Sequence, residues 1–192
     1  MEGAINMNVG FALCGSFCTY ASVFPVMELL SRDYQVTPIF SEVAYTTDSR
    51  FGTAAEHIET ARELCGTHPL HTIAQVEPIG PKKLFDILVV APCTGNTLAK
   101  LAHGIADGPV TMAVKSHLRN GRPVLIAVST NDALGAAAEN IGRLLARKHI
   151  YFVPYGQDDP TGKPCSMVAD FTMIPKALEE ALEGRQLQPV LL

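Results

Sequence analysis

The sequence has neither long apolar stretches nor long runs of one charge. Its apolar runs, such as Ile87 to Pro92 and Val124 to Val128, are far shorter than the roughly 20 residues that a helix needs to cross a bilayer. The 15 Lys and Arg residues nearly balance the 19 Asp and Glu residues, and no five like charges follow one another. Nucleic-acid binders usually carry a basic stripe, so this class is disfavoured. Met1 to Asn8 lack a basic segment followed by an apolar one, so we expect no secretory signal.

Cysteine is present, but not in a pattern that forms disulfides or binds metal. The five residues are odd in number and scattered, and no C-x-x-C pair occurs among them. We therefore expect neither a disulfide framework nor a structural zinc site, and a reducing cytoplasm is the expected compartment. Cys93 is interpreted as a small buried packing residue.

The composition that is present favours one folded domain. Of the 192 residues, 47% are hydrophobic and 18% are charged, which is enough apolar material for a core and excludes disorder as the main state. A chain of this length fits a single domain over residues 1–192.

Short β-branched runs alternate along the chain with stretches of helical periodicity. Strands are predicted at residues 8–13, 35–40, 84–91, 123–128 and 150–154, with a less distinct one at 71–74. Helices are predicted around residues 23–30, 53–65, 94–105, 109–120, 134–149 and 170–183. Pro25 is expected to kink the first helix or to lie in its first turn, and residues 155–164 and 187–192 are expected to be loop and tail. The alternation predicts an α/β fold with a doubly wound parallel sheet between two helical layers.

Small polar residues follow four of the predicted strands. They are Gly15-Ser16, Ser41, Thr94-Gly95-Asn96-Thr97 and Ser129-Thr130-Asn131. In sheets of this kind, ligands bind beyond the carboxyl ends of the strands, where helix N-termini favour phosphate groups. Any one of these residues could instead be an ordinary helix cap. Four of them at one sheet edge indicate a phosphate-bearing ligand.

The strand ends fit a mononucleotide better than a dinucleotide. The first turn, Cys14 to Cys18, is not the G-x-G-x-x-G pattern, and Ser41 stands where an acidic residue would hold a ribose. The loop G-x-x-x-x-G-K-[ST] is absent as well. Flavin mononucleotide (FMN) is therefore favoured over NAD or ATP.

The segment from Ala91 to Asp107, APCTGNTLAKLAHGIAD, resembles the PASANT…KxAxGxxD signature of flavoproteins that include cysteine decarboxylases and flavin prenyltransferases. The resemblance extends from about Val9 to His149. It implies a Rossmann-like, flavodoxin-like fold, bound FMN and a homo-oligomer. The residues that it implies for the cofactor are Gly15, Ser16, Phe17, Ser41, Thr94, Asn96, Thr97 and Ser129.

Three further segments, Phe11 to Tyr20, Ser129 to Gly135 and Pro154 to Pro160, resemble one subgroup of that family. Its members are subunits of an oxidoreductase that makes pyridine-2,6-dicarboxylate for bacterial spores. This resemblance implies a nicotinamide-binding partner subunit, which would bring NAD(P), and a small dicarboxylate substrate. Asn131 and Lys163 are the candidate substrate residues.

A dicarboxylate requires cationic or amide donors, and three further cations are alternatives to Lys163. They are Arg50, Lys115 and Arg119, each of which could equally be a solvated surface charge.

The sequence also departs from the decarboxylases of this family. Their substrate clamp reads P-x-M-N-x-x-M-W, and the matching stretch Val128 to Gly135 keeps only Asn131. His71 lies near the position of their catalytic histidine, but we interpret it as a structural or surface residue. A flavin-dependent decarboxylase or prenyltransferase remains the alternative function. A non-catalytic subunit that uses an old flavin pocket to bind product or partner is the third.

Overall fold

The computed structural model of the chain describes residues 7–192. The expectation of no secretory signal concerns mainly the first six residues, which lie outside the described residues. The strands are β1 (Asn8–Leu13), β2 (Gln35–Phe40), β3 (Ile87–Cys93), β4 (Val124–Thr130), β5 (Ile150–Phe152), β6 (Tyr155–Gly156) and β7 (Met167–Ala169). The helices are α1 (Tyr20–Asp33), α2 (Glu42–Thr46), α3 (Ala54–Cys65), α4 (Ile73–Val76), α5 (Ile79–Lys82), α6 (Gly95–His103), α7 (Pro109–Leu118), α8 (Ala138–Leu145) and α9 (Ile174–Leu182). Short 3-10 turns, Phe17–Thr19 and Phe171–Met173, precede α1 and α9.

The sheet is mostly parallel and confirms the predicted α/β fold. Its strands run in the order β2-β1-β3-β4, all parallel, and β5 continues beside the first half of β4. The second half of β4 pairs with β7, which is antiparallel and carries β6 on its other side. The strand order reverses between β1 and β3, which is where ligands bind in doubly wound sheets.

The core lies on both sides of the central strands. All seven residues of β3 are buried, because α1 and α9 pack together on the sheet and α7 packs separately against β2, β3 and β4. Buried residues on both faces produce the unbroken apolar run from Ile87 to Ala91. Within residues 7–192 no helix is both long and apolar enough to span a membrane.

A helix is predicted accurately from the sequence when the residues that begin and end it are close to it in the chain. Thr53 caps α3 in a reciprocal hydrogen-bond pair with Glu56, and Gly66 ends the helix with φ +64°, so the helix predicted over 53–65 is confirmed. Pro25 is different, since it lies inside α1 rather than in the first turn. The helix begins at Tyr20, earlier than the apolar periodicity indicated.

The strand predicted at residues 71–74 is wrong. Thr72 caps the short helix α4, and the neighbouring Leu70 makes an isolated bridge to Ile39 on β2. The prediction that β5 is the last strand is also wrong, since β6 and β7 follow it. The tail is docked rather than loose, because Leu187 is buried and the amide of Leu192 donates to the carbonyl of Tyr155 at 3.0 Å.

Gly10 in β1 allows close packing at the centre of the sheet. A Cβ at this position would lie 2.6 Å from Leu88 Cδ1 and 2.7 Å from Phe85 Cδ2. We expect Gly10→Ala to lower the free energy of unfolding by about 1–3 kcal/mol through overpacking. In Gly142→Ala, the control on α8, the new Cβ would have no described atom within 4 Å, so this change should stabilise the helix by about 0.5–1 kcal/mol. Urea unfolding of both variants tests this, and equal effects would contradict it.

Candidate functional site

The residues that follow β1, β2 and β3 meet at one cleft, together with the first turn of α7. Its volume is about 380 Å³, within the range of roughly 300–1,000 Å³ that is typical of small-molecule sites. Five of the predicted cofactor residues line it: Gly15, Ser41, Thr94, Asn96 and Thr97. The sequence-based expectation that these strand ends converge is therefore confirmed.

Hydrogen bonds join the end of β1 to the neighbouring strand ends. Ser16 Oγ lies 2.8 Å from Ser129 Oγ at the end of β4. Thr97 Oγ1 donates to the Cys14 sulfur at 3.3 Å. Ser16 and Ser129 do not line the cleft themselves. Their contact joins the turn after β1 to the end of β4. These two predicted cofactor residues therefore position the turn that carries Gly15.

Ser41 and Thr94 are helix caps that also face the cleft. Ser41 Oγ accepts from the amide of Ala44 at 3.2 Å, and Thr94 Oγ1 accepts from the amide of Thr97 at 3.5 Å. The capping alternative therefore holds for both residues. Asn96 differs, since it is the exposed second residue of α6. Its side chain makes no hydrogen bond within the part of the chain that the structure describes, so its amide is available to a ligand.

The two glycines at the strand ends have different roles. A Cβ on Gly15 would lie 3.0 Å from Cγ1 of Val43, which is on α2, the helix that follows β2. A Cβ on Gly95 would lie 2.7 Å from Thr130 Oγ1 and 2.9 Å from Asp132 Oδ1. Gly95 thus makes room for the end of β4 and the residues that follow it. The carboxylate of Asp132 stands beside the N-terminus of α6.

An ion pair that the sequence analysis did not single out forms part of the cleft wall. Lys100 Nζ donates to both carboxylate oxygens of Asp107, at 2.9 and 3.0 Å, and both residues line the cleft with Glu42. The hydrogen bonds from Lys100 lower the pKa of the Asp107 carboxyl. The signal that could have indicated this ion pair in the sequence is the spacing of Lys100 and Asp107 within the segment 91–107.

The charge of the cleft lining restricts how it can bind an anion. Lys100 is its one cation among the lining residues of the described chain, and Asp107 already neutralises it. Anion binding here depends on neutral donors. These are hydroxyl groups, the Asn96 amide and the N-termini of α6 and α7, whose partial positive charge favours an anion.

Two buried cysteines lie here, Cys14 in the lining of the cleft and Cys93 on β3 outside that lining. Burial raises the pKa of the Cys14 thiol to about 11, and burial also raises the pKa of Cys93 well above its usual value. Both thiols therefore stay protonated at neutral pH, and the buried position of Cys93 fits a packing residue. Among residues 7–192 no group of three His, Cys, Asp or Glu side chains could hold a metal ion.

The remaining predicted site residues lie outside the cleft lining. The ring of Phe17 stacks on His57 with a centroid distance of 6.0 Å. Asn131 is exposed after β4. Lys163, in the loop between β6 and β7, lies 3.3 Å from Asp158. The structure therefore does not bring Asn131 or Lys163 to the strand-end cleft.

A second cavity, of about 400 Å³, adjoins the cleft and shares Glu42 and Asp107 with it. Tyr45 and His71 stack face to face there, with ring centroids 3.8 Å apart. The Nδ1 atom of His71 is buried without a hydrogen-bond partner among the described residues. The stacking on Tyr45 fits the interpretation of His71 as a structural residue.

The fold and the strand-end cleft define a flavoprotein-type α/β domain. The chain matches the Flavoprotein family over residues 3–171 and belongs to that family. The B subunit of dipicolinate synthase from Bacillus subtilis (strain 168) is 45% identical over 192 residues, which cover 100% of this chain and 96% of that protein. This chain is thus a homologue of the dipicolinate synthase B subunit.

Solved structures agree with this assignment. The crystal structure of the dipicolinate synthase B subunit from Bacillus halodurans is 44% identical, with a TM-score of 0.90 over 100% of this chain and 98% of that one. The FMN-dependent cysteine decarboxylase SpaF shares the fold, with a TM-score of 0.70, 23% identity and coverage of 93% and 99% of the two chains. This second likeness shows a shared fold.

Proposed function

We propose that this chain is the FMN-binding subunit of a dipicolinate synthase. It would support the oxidation of dihydro- or hydroxytetrahydro-dipicolinate to dipicolinate, in the cytoplasm of the mother cell of a spore-forming bacterium. The nicotinamide-binding subunit of the same synthase would be its partner and would bring NAD(P). The full-length identity of 45% to the dipicolinate synthase B subunit carries the choice of reaction.

The cleft at the strand ends supports FMN as the ligand. It lies where the strand order reverses between β1 and β3, and the flavodoxin-like order places FMN at this switch point. Gly15 leaves only a narrow gap to Val43, which a side chain at this turn would fill. The hydroxyl and amide groups of the lining are donors of the kind that a phosphate and a flavin ring require. The residues present therefore fit the cofactor.

The proposed roles of the residues follow from their positions. Asn96 and the hydroxyl groups of Ser41 and Thr94 would bind the phosphate end of FMN. Ser16 and Ser129 would hold the β1 turn in place through their mutual contact. Asn131 and Lys163 remain proposed substrate residues, and reaching the cleft would require movement of the segments that carry them.

The proposed reaction converts a non-aromatic ring to pyridine and, from the dihydro form, removes two electrons and two protons. Bound FMN would supply a hydride acceptor beside the substrate. The protein's own contribution is to position the ring and to surround it with neutral donors and the protonated thiol of Cys14. NAD(P) on the partner would be the final electron acceptor.

Binding of FMN is tested directly by titration of the purified chain, followed by quenching of flavin fluorescence. We expect FMN to bind more tightly than flavin adenine dinucleotide, because Ser41, rather than an acidic residue, stands directly after β2, where dinucleotide sites hold a ribose. Equal or tighter binding of the dinucleotide would contradict the mononucleotide proposal. A protein that binds neither flavin would favour a non-catalytic role.

Synthase activity should depend on the partner. This chain has no dinucleotide-binding fingerprint, and the proposed oxidation releases electrons that need an acceptor. We expect activity near background from the flavin-loaded chain alone and substantial formation of dipicolinate when the nicotinamide-binding partner and NAD(P) are added. Full turnover by the isolated chain would contradict the proposal that the reaction requires a second protein.

A further inference from the structure

A pocket separate from the strand-end cleft lies between the C-terminal half of α6 and the outer face of α7. Its volume is about 410 Å³, which is large enough for a small ligand. The apolar part of its wall is made by Leu101, Ile105, Val114 and Leu118. Ile105 is 46% exposed, so the pocket presents apolar surface to the solvent.

The charges around this pocket all have one sign. Lys115, Arg119 and Arg147 line it, and no Asp or Glu is among its lining residues. None of these three cations lies in a salt bridge within residues 7–192. This is notable in a chain with a net charge of −4. Two of the cations that the sequence analysis considered for a carboxylate ligand, Lys115 and Arg119, thus meet here.

The cations are held on two walls of the pocket. Arg147 donates to the carbonyls of Leu101 and Ala102 in the last turn of α6, at 3.1 and 3.2 Å, and no carboxylate pairs with it within residues 7–192. Lys115 lies in the last turn of α7, and Arg119, four residues later, is the C-cap of that helix. The stem of Arg119 passes close to Gly80, where an added Cβ would lie 3.2 Å from its Cδ. Positive charge therefore faces the pocket from α7 and from the segment after α8.

We propose that this pocket binds a small aromatic dicarboxylate. The apolar wall would cover the ring, and the cations on the two walls would each receive an acidic group. A ligand with one acidic group would leave cations on one wall unpaired, and a neutral ring would leave all three unpaired. The proposal does not depend on flavin binding or on the reaction at the strand-end cleft.

Isothermal titration calorimetry of the whole chain at low salt tests the proposal, with benzene-1,3-dicarboxylate as the probe. We expect saturable binding at this pocket that weakens as salt is added, because exposed charges are screened. Benzene-1,3-dicarboxamide, of the same shape but uncharged, should not bind. Succinate, which has two carboxylates but no ring, should bind more weakly than the aromatic probe.

Two variants locate the binding. Lys115→Gln and Arg119→Gln should each weaken the dicarboxylate about five-fold, the upper end of what an exposed ion pair contributes. The matched control is Lys148→Gln, an exposed cation that does not line the pocket, and it should leave the affinity unchanged. FMN affinity, measured in parallel, should be the same in all three variants.

Three results would overturn the proposal. The first is no binding of the dicarboxylate, or equal binding of the dicarboxamide. The second is binding that both pocket variants leave unchanged. The third concerns the protein without ligand. If the wild type sedimented as an assembly and Lys115→Gln and Arg119→Gln dissociated it, a second copy of the chain would cover the pocket.

Discussion

Replacing Asn96 with alanine should weaken FMN binding by about one to two decades without lowering the melting temperature of the apo-protein. The loss of one hydrogen bond to a charged phosphate is worth roughly 1.5–3 kcal/mol. The apo-protein should be unaffected, because the described residues offer no hydrogen-bond partner to the exposed Asn96 side chain. Added FMN should then raise the melting temperature of the variant less than that of the wild type, since this shift follows ligand occupancy.

The matched control for Asn96→Ala is Thr53→Ala. Thr53 is a cap of α3 and does not line the cleft. Its loss should lower the free energy of unfolding by about 0.5–2 kcal/mol and leave FMN affinity unchanged. Thermal melts and flavin titrations of both variants measure these effects. If Asn96→Ala behaved like Thr53→Ala, Asn96 would have a structural role and the proposed phosphate contact would be wrong.

Acidification from pH 6.5 to pH 4 should destabilise the protein by about 3 kcal/mol through His117 alone. Burial on α7 lowers the pKa of His117 to about 4, from its ordinary value of 6.5. Below pH 6.5 the unfolded chain therefore takes up a proton that the folded chain does not accept until about pH 4. Stability falls as the pH falls through this window, and each pKa unit is worth about 1.4 kcal/mol.

His117→Gln isolates this effect, because glutamine does not titrate and can still donate to the carbonyl of Pro123, which lies 3.0 Å from His117 Nε2. Urea unfolding at pH 7, 6, 5 and 4 should show a smaller loss of stability in His117→Gln than in the wild type. His103→Gln, at an exposed position on α6, should follow the wild type. Parallel pH profiles for wild type and His117→Gln would contradict the prediction.

Much of the fold could be predicted from the sequence because its main elements are specified locally. The fully buried strand β3 produces an unbroken apolar run, and α3 has a cap, a periodic face and a terminal glycine. The strands β6 and β7 have two and three residues, which is too short for a periodic pattern. They form because β7 pairs with Ser129 and Thr130 on β4. Long-range pairing of this kind leaves no local signal.

The sequence predicted which strand ends form the candidate site. It did not predict how charged side chains are arranged there. The positions of Ser41, Thr94 and Asn96 follow from the strands that precede them. The pairing of Lys100 with Asp107 depends on how the turn after α6 folds back, and the position of Asp132 depends on its contact with Gly95. Both are products of tertiary packing, so composition and spacing did not show that the cleft has little free positive charge.

The outer edges of the sheet at β2 and β6 are partly covered by segments of the same chain. On one side Pro38 has no amide hydrogen to donate, and the backbone of Leu70 bonds to β2 through Pro38 and Phe40. On the other side Tyr155 of β6 bonds to the backbone of Val190 and Leu192. Exposed edges of this kind otherwise promote aggregation. Strand pairing between protomers at β2 or β6 would therefore have to displace these segments, which favours assembly through helices and loops.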